Sequence, residues 1–268
     1  MELIKEYAAR KKEELAAHIK GSELYYSLAI IQVGENEASN RYVNNKMKDL
    51  DQVGIHAVRY NLSDNVAPTK IIELIHGLNL DDSTTGIMVQ LPLPATWSPR
   101  IVRQILDAIS PRKDVDGLCR RNYNPRPCTP YGIYNYLVDQ DVELSGKNVV
   151  VIGRSDIVGK PMAQALTDAD ANVTLLHSKT KQTDLDFYLR FADIVVVAVG
   201  KPHFLTANSP VNPRALVIDV GINFDENGKL IGDCDLLDVK WQSPVPGGVG
   251  LLTRLQLIRN IIGLVDSK

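Results

Sequence analysis

Four groups of residues in this 268-residue chain have the types and spacing to do chemistry. Tyr42 and Lys46 lie in a stretch of helical periodicity, so a phenol and an amine share one face, one turn apart. The same spacing also occurs on solvated amphipathic helices. Gln90 ends a β-like run, and Pro92 fixes the backbone just beyond it. Strand ends on one edge of an open α/β sheet are where ligands bind, although a polar strand terminus is the plainer reading. Asp114 and Asp116 flank Val115 before Gly117, with carboxylates suited either to the N–H groups of a heterocycle or to turn and cap chemistry. In the fourth group, the apolar run Val149-Val150-Val151-Ile152 breaks at Gly153, passes through Arg154 and Ser155, and restarts after Gly159. Unpaired backbone N–H groups at such a strand–turn–helix can hold a pyrophosphate at the positive end of the helix dipole. Ser155 stands where G-x-G-x-x-G has its second glycine, and turns of this kind also punctuate ordinary α/β folds.

The end of the next strand bears on which nucleotide would fit. A dinucleotide fold that prefers NAD usually places Asp or Glu there for the ribose 2′-hydroxyl. This chain reads Leu176-His177-Ser178-Lys179-Thr180 instead. A hydroxyl, a cation and the neighbouring Arg154 suit a 2′-phosphate, so the expected cofactor is NADP. His177 reads as a strand-end residue and not as a catalyst.

Placing these groups requires two α/β lobes. Residues 1–20 read as an amphipathic helix and 25–33 as a buried strand ended by Gly34. A helix over 38–52, a strand at 56–62, a helix over 68–78 opened by Pro68, a strand at 86–90 and a helix over 100–109 follow. Leu91-Pro92-Leu93-Pro94 takes the chain off that last strand in an extended form. This is a small open α/β sheet. Residues 111–130 lose all periodicity, and the domain boundary is placed there. A helix over 131–138 leads to the nucleotide unit: a strand from 149, a helix over 161–168, and strands at 172–176, 192–199 and 215–220. Such continuous apolar runs suit a parallel sheet covered on both faces. The rigid, glycine-rich Pro244-Val245-Pro246-Gly247-Gly248-Val249-Gly250 precedes a last apolar helix, 251–265. The expected picture is two α/β lobes with a cleft between them.

Bulk properties narrow the function classes. A formal net charge of −2 gives no reason to expect nucleic acid or an anionic membrane as partner. No apolar run is long enough to span a bilayer, and the charged start of the chain does not read as a secretory signal. Cys119, Cys128 and Cys234 are odd in number and lack metal-site spacing, so they read as reduced thiols in a cytoplasmic protein with no bound metal.

Taken together, the motifs resemble a known family. Ala38-Ser39-x-x-Tyr42-Val43-x-x-Lys46, Val89-Gln90-Leu91-Pro92-Leu93-Pro94, Lys113-Asp114-Val115-Asp116-Gly117 and Pro127-Cys128-Thr129-Pro130 are followed by Gly153-Arg154-Ser155-x-Ile157-Val158-Gly159-x-Pro161. His177-Ser178-Lys179-Thr180, Gly221-Ile222-Asn223 and the 244–250 loop complete the order. This series closely resembles the bifunctional methylenetetrahydrofolate dehydrogenase/methenyltetrahydrofolate cyclohydrolase family over nearly the whole chain. The resemblance implies an N-terminal open α/β folate lobe over 1–126 and a Rossmann-like NADP-binding lobe over 127–250, with 251–268 returning to the first lobe. It implies NADP-dependent oxidation of 5,10-methylenetetrahydrofolate, hydrolysis of the methenyl product to 10-formyltetrahydrofolate, a role in one-carbon supply for purine biosynthesis, and a homodimer.

The resemblance also implies residue roles. Lys46 becomes the key group of the hydrolysis, Tyr42 stacks on the folate, Gln90 contacts and tunes the lysine, and Asp116 binds the pterin end. Pro92, Gly247 and Gly248 line the folate site, the two glycines at its junction with the nicotinamide. Gly153, Arg154, Ser155, Ser178 and Ile222 contact the cofactor. The chemistry is consistent with that division, because hydride transfer is achieved by orientation alone whereas hydrolysis must move a proton. Lysine can take that proton only as the neutral amine, a form favoured by desolvation and by a cationic product beside it.

Two departures from the family pattern stand out. Residues 118–126 form a shorter stretch than the family usually carries, and Leu251 replaces a helix-starting proline after the glycine-rich loop. Two other readings fit parts of the chain. A dehydrogenase of the amino-acid or shikimate type would share the two-lobe plan without the Tyr42, Lys46, Gln90 and Asp116 set. A non-catalytic paralogue that binds folate or nucleotide would be supported by the shortened stretch alone.

Overall fold

A computed structural model describes residues 1–119, 125–236 and 238–267, and gives the backbone alone at Glu37 and Ala38. Of the shortened stretch 118–126, residues 120–124 lie outside the described residues. The elements run α1 (Ile4–Gly21), β1 (Ser27–Val33), α2 (Glu37–Val53), β2 (His56–Leu62), α3 (Pro68–Leu80), β3 (Gly86–Val89) and α4 (Pro99–Asp107). They continue with α5 (Cys128–Asp139), β4 (Asn148–Ile152), α6 (Gly159–Thr167), β5 (Asn172–Leu176), α7 (Gln182–Phe191), β6 (Ile194–Val197), β7 (Leu205–Thr206) and β8 (Leu216–Asp219). Last come β9 (Asn223–Phe224), β10 (Leu230–Ile231), β11 (Cys234–Asp235), β12 (Trp241–Gln242) and α8 (Val249–Asp266). Two compact units result, one of Ala9–Cys128 with Arg254–Lys268 and one of Thr129–Thr253 with Met1–Ala8.

The first unit is built on a parallel three-stranded sheet of order β2-β1-β3. β1 is buried along its whole length, and its side chains alternate between two cores, as a strand with helices on both faces must. Leu28 and Ile30 pack with Val43 and Leu50 of α2 and with Leu257, Ile258 and Ile261 of α8. Ala29, Ile31 and Val33 pack with Ile71 and Ile75 of α3 and Ile105 of α4. The last helix is therefore an integral layer of this unit, and truncating Ile261 to alanine would cost about 2–5 kcal/mol. Local signals set the helix limits. The Asn36 side chain caps α2 by accepting from Ser39 N at 3.0 Å, and Gly54 ends it at φ 88°. Ser98 caps α4 ahead of Pro99. Beyond β3 the chain returns alongside it, with Ile87 N donating to Lys113 O at 2.7 Å and Ile87 facing Asp114 in a parallel bridge.

The second unit carries a parallel five-stranded sheet of order β12-β8-β6-β4-β5. Val150, Ile152, Val195, Val197 and Val217 form its core with Leu185 and Leu189 of α7. In both sheets the chain steps to one side of its first strand and then crosses to the other. The crevices where ligands of such folds bind therefore open at the carboxyl ends of β1 and β3, and of β4 and β6. The strand expected over 192–199 stops at Val197. Val199 N and Gly200 N turn away to the buried carboxylate of Asp233, at 2.8 and 2.9 Å. The helix expected from 161 begins at Gly159, and α8 begins at Val249, so Leu251 lies inside its first turn.

Candidate active site

Lys46 and Gln90 meet at the crevice of the three-stranded sheet. α2 leaves the carboxyl end of β1 and carries half-buried Tyr42 and Lys46, while Gln90 directly follows β3 and is 9% exposed. Gln90 N continues the ladder to Ile31 O at 2.8 Å, which fixes where its side chain starts. Lys46 Nζ donates to Gln90 Oε1 at 3.1 Å and lies 4.0 Å from Met88 Sδ. Gln90 Nε2 donates to Leu91 O at 2.5 Å. An amide committed in this way turns its carbonyl oxygen, and only that, toward the amine.

The two aspartates separate cleanly. Asp114 is 1% exposed and does turn chemistry, taking Gly117 N on Oδ1 at 3.1 Å and Cys119 N on Oδ2 at 2.7 Å. Asp116 stays half-buried, two residues further toward the carboxyl edge that also carries Gln90. Burial pushes the Cys128 thiol well above its ordinary value, with the Asp116 carboxylate adding to the rise and the Lys46 ammonium opposing it. One buried sulfur feels both charges, so Lys46 and Asp116 both lie near Cys128. Burial also raises the Tyr42 phenol above its usual value, while the nearby Arg254 guanidinium draws it back. Arg254 is held by Asp49 at 2.9 Å, and Asp49 also takes Lys12 at 3.0 Å. Pro92 is exposed after a cis Leu91–Pro92 bond.

In the five-stranded unit the candidate residues sit on main chain. Gly153 has φ +120°, and a Cβ there would lie 2.2 Å from Ala198 O, at the end of β6. A Cβ on Gly159 would lie 1.9 Å from Gly153 O. The turn after β4 is thus a cradle made of missing Cβ atoms, which is the fit a pyrophosphate requires. Ser155 Oγ accepts from Val158 N at 3.1 Å and Gly159 N at 3.4 Å, so it satisfies two N–H groups at the start of α6 and has its own hydrogen to donate. Arg154 and Ser178 are exposed at neighbouring strand ends, where Gly153 N donates to Leu176 O at 2.9 Å. Ile222, 46% exposed, follows β8 on the same edge. Gly247 and Gly248 lie in a turn that leaves position 248 no room, since a Cβ there would be 2.1 Å from Pro244 O. His177 accepts Lys179 N on Nδ1 at 3.2 Å, a strand-end contact.

Two buried carboxylates escaped the sequence reading. Asp233 takes Val199 N and Gly200 N on Oδ2, and Lys201 N and Asn223 Nδ2 on Oδ1. Asp219 takes Gly221 N, Asp233 N and Cys234 N, and burial raises its carboxyl above the usual range. Together they tie the loops that follow β6 and β8 beside Ile222. Among the described residues, no group of three His, Cys, Asp or Glu is arranged to hold a metal, and no helix is long and apolar enough to cross a membrane.

Comparison with known proteins identifies the family of both domains. The tetrahydrofolate dehydrogenase/cyclohydrolase catalytic domain matches residues 3–116, and the NAD(P)-binding domain of the same family matches residues 127–268. A Campylobacter hominis protein, bifunctional protein FolD, is 45% identical over 279 residues, spanning 98% of this chain and 96% of its own. The crystal structure of the bifunctional FolD methylenetetrahydrofolate dehydrogenase/cyclohydrolase from Campylobacter jejuni has a TM-score of 0.91 at 38% identity, covering 98% of this chain and 97% of that one. The Trypanosoma brucei methylenetetrahydrofolate dehydrogenase-cyclohydrolase, complexed with NADP cofactor and inhibitor, gives a TM-score of 0.89 at 31% identity over 98% and 96% of the two chains. With domain matches on both units and relatives alike from end to end, the chain belongs to the tetrahydrofolate dehydrogenase/cyclohydrolase family.

Proposed function

We propose that the protein oxidises 5,10-methylenetetrahydrofolate with NADP and then hydrolyses the methenyl product to 10-formyltetrahydrofolate, feeding one-carbon units to purine biosynthesis. The observation that carries this reading is the 3.1 Å hydrogen bond from Lys46 to a Gln90 amide whose own N–H is committed elsewhere. The three-stranded unit takes the folate: Tyr42 stacks on it, Asp116 holds the pterin end, and Pro92 lines the site. The five-stranded unit takes NADP on Gly153, Arg154, Ser155, Ser178 and Ile222, with Gly247 and Gly248 at the folate–nicotinamide junction. The trypanosome relative's complex with NADP supports the choice of cofactor.

NADP supplies a hydride acceptor when bound, and the residues around it orient and do not react. Hydrolysis asks more of the side chains. Water adds to the methenyl carbon, and the proton it sheds passes to the neutral amine of Lys46. The hydroxyl of the adduct then releases its remaining proton to solvent and becomes the formyl carbonyl on N10, while the bond from that carbon to N5 breaks and Lys46 returns its proton to N5. Gln90 accepts one N–H of the amine, which leaves the nitrogen lone pair free to face the water. Lys46→Met tests this assignment. Methenyltetrahydrofolate hydrolysis should fall by about 10²–10⁴, as expected for loss of a general acid–base group, while NADPH formation persists. A Lys46→Met protein that hydrolysed the methenyl substrate at the parent rate would refute it.

The same reading places the protein in the cytoplasm, supported by three free thiols, and makes it a homodimer. Phe187, Tyr188 and Phe191 are exposed on α7, on the flank of the five-stranded sheet whose last strand is β5. An antiparallel pairing of α7 with its copy, centred on Phe187, would oppose Asp184 to Arg190 of the second chain. Phe187→Asp should then halve the mass measured by light scattering, and an unchanged mass would exclude this face.

A further inference from the structure

We propose that Asn260, on the last helix, is a positioning residue for folate binding: its side-chain amide clamps the neck of the loop that begins at Asp116. The proposal rests on the assignment of Asp116 to the pterin. Asn260 is 6% exposed, and its Nδ2 donates to Val115 O at 2.8 Å and to Arg126 O at 2.9 Å. These two carbonyls precede Asp116 and end the stretch that follows it. One NH₂ group therefore bridges both strands of the neck with its two hydrogens.

The orientation of that amide is fixed from within the helix. Gln256, one turn earlier and 7% exposed, donates Nε2 to Asn260 Oδ1 at 2.8 Å. Its oxygen being satisfied there, Asn260 must present nitrogen to the two carbonyls. The neck it closes is tight. Gly117 has φ +67°, and a Cβ on it would lie 2.6 Å from both Arg126 C and Pro127 N. Opposite Asn260, Asp114 holds Gly117 N, and Cys128 N donates to Asp116 O at 3.3 Å. The backbone of Asp116 is thus gripped before and after, while its side chain stays half-buried at the carboxyl edge of the sheet. α8 contributes one of those grips from 145 positions away along the chain. Without the Asn260 amide, two inward carbonyls would lose their shared donor, and the origin of the Asp116 carboxylate would drift. Misplacement of a binding group by a fraction of an ångström weakens folate capture in both reactions and leaves nucleotide capture alone.

The test is a kinetic comparison of Asn260→Leu, Gln256→Leu and Asp116→Ala in the full-length protein. For Asn260→Leu, KM for methylenetetrahydrofolate in oxidation and for methenyltetrahydrofolate in hydrolysis should rise together by roughly tenfold, with KM for NADP within about twofold of the parent. Gln256→Leu frees the amide without removing it and should give the same pattern at about threefold, which serves if Asn260→Leu does not fold. A merely structural role would lower the melting temperature and kcat without this selective rise. Unchanged folate KM in folded Asn260→Leu or Gln256→Leu, with a raised value in Asp116→Ala, overturns the clamp and leaves the assignment of Asp116 standing. Unchanged folate KM in Asp116→Ala overturns that assignment and the clamp with it.

Discussion

The two units solve the same topological problem in opposite ways. Each offers a crevice at the carboxyl ends of a parallel sheet, where the chain has crossed its first strand. In the three-stranded unit the crevice is furnished with partly buried side chains, with Lys46 held on Gln90 and Gln90 on Leu91. In the five-stranded unit it is furnished with main chain. Gly153 and Gly159 make room, Ser155 satisfies two backbone N–H groups, Asp233 gathers three more, and the side chains that face out are exposed. Moving a proton requires a side chain that can take and return one at a fixed place, and the hydrogen bond from Lys46 to Gln90 fixes that place. Accepting a cofactor requires only shape and donors, which backbone supplies without ionising.

Substitutions that affect one unit alone test this division. After Lys46→Met, the largest effect is expected from Gly159→Ala. The added methyl has to displace Gly153 O, and the reshaped turn should lower kcat/KM for NADP-dependent oxidation by about 10²-fold while methenyl hydrolysis stays at the parent rate. It is the converse of Lys46→Met, and equal losses in both reactions would erase the contrast between the units. Asp233→Asn comes next. An NH₂ among backbone donors leaves at least one buried group unpaired, so unfolding in urea should register a loss of about 2–4 kcal/mol together with a higher KM for NADP. Arg154→Ala removes an exposed cation, and the ratio of NADP to NAD efficiency should drop about tenfold, with the folate KM unmoved. The smallest effect concerns pH. Burial holds the Tyr42 phenol above its ordinary value of 10.0, so it stays protonated from pH 6 to pH 9. Tyr42→Phe should therefore leave every inflection of the pH–rate profile in place, even if folate KM rises. A shifted inflection would assign Tyr42 to proton transfer.

Local pattern made much of this legible. A shared helix face and a strand end marked Lys46 and Gln90 separately, the family resemblance joined them, and apolar runs placed the strands within one or two residues. By local pattern Asp114 and Asp116 were indistinguishable, because carboxylates two apart serve equally as cap or ligand, and the family resemblance alone singled out Asp116. Only the backbone path at Gly117 and Cys119 sends one inward. Asp233 and Asn260 carried no signal, since their partners lie 34 and 145 positions away and nothing in the pattern around either residue points to them. The two-residue strands β7 and β9–β12 are too short to have a period, and long-range hydrogen bonding alone defines them.

The most direct test is a coupled assay of the purified protein with methylenetetrahydrofolate and NADP or NAD, following reduced nucleotide and methenyltetrahydrofolate separately. The division of labour between the units predicts NADPH formation well above NADH formation, with little methenyltetrahydrofolate accumulating because Lys46 and Gln90 consume it. NADPH formation with methenyltetrahydrofolate building up mole for mole would contradict the role of the Lys46–Gln90 pair. No reduced nucleotide at all would contradict the role of the Gly153–Gly159 turn.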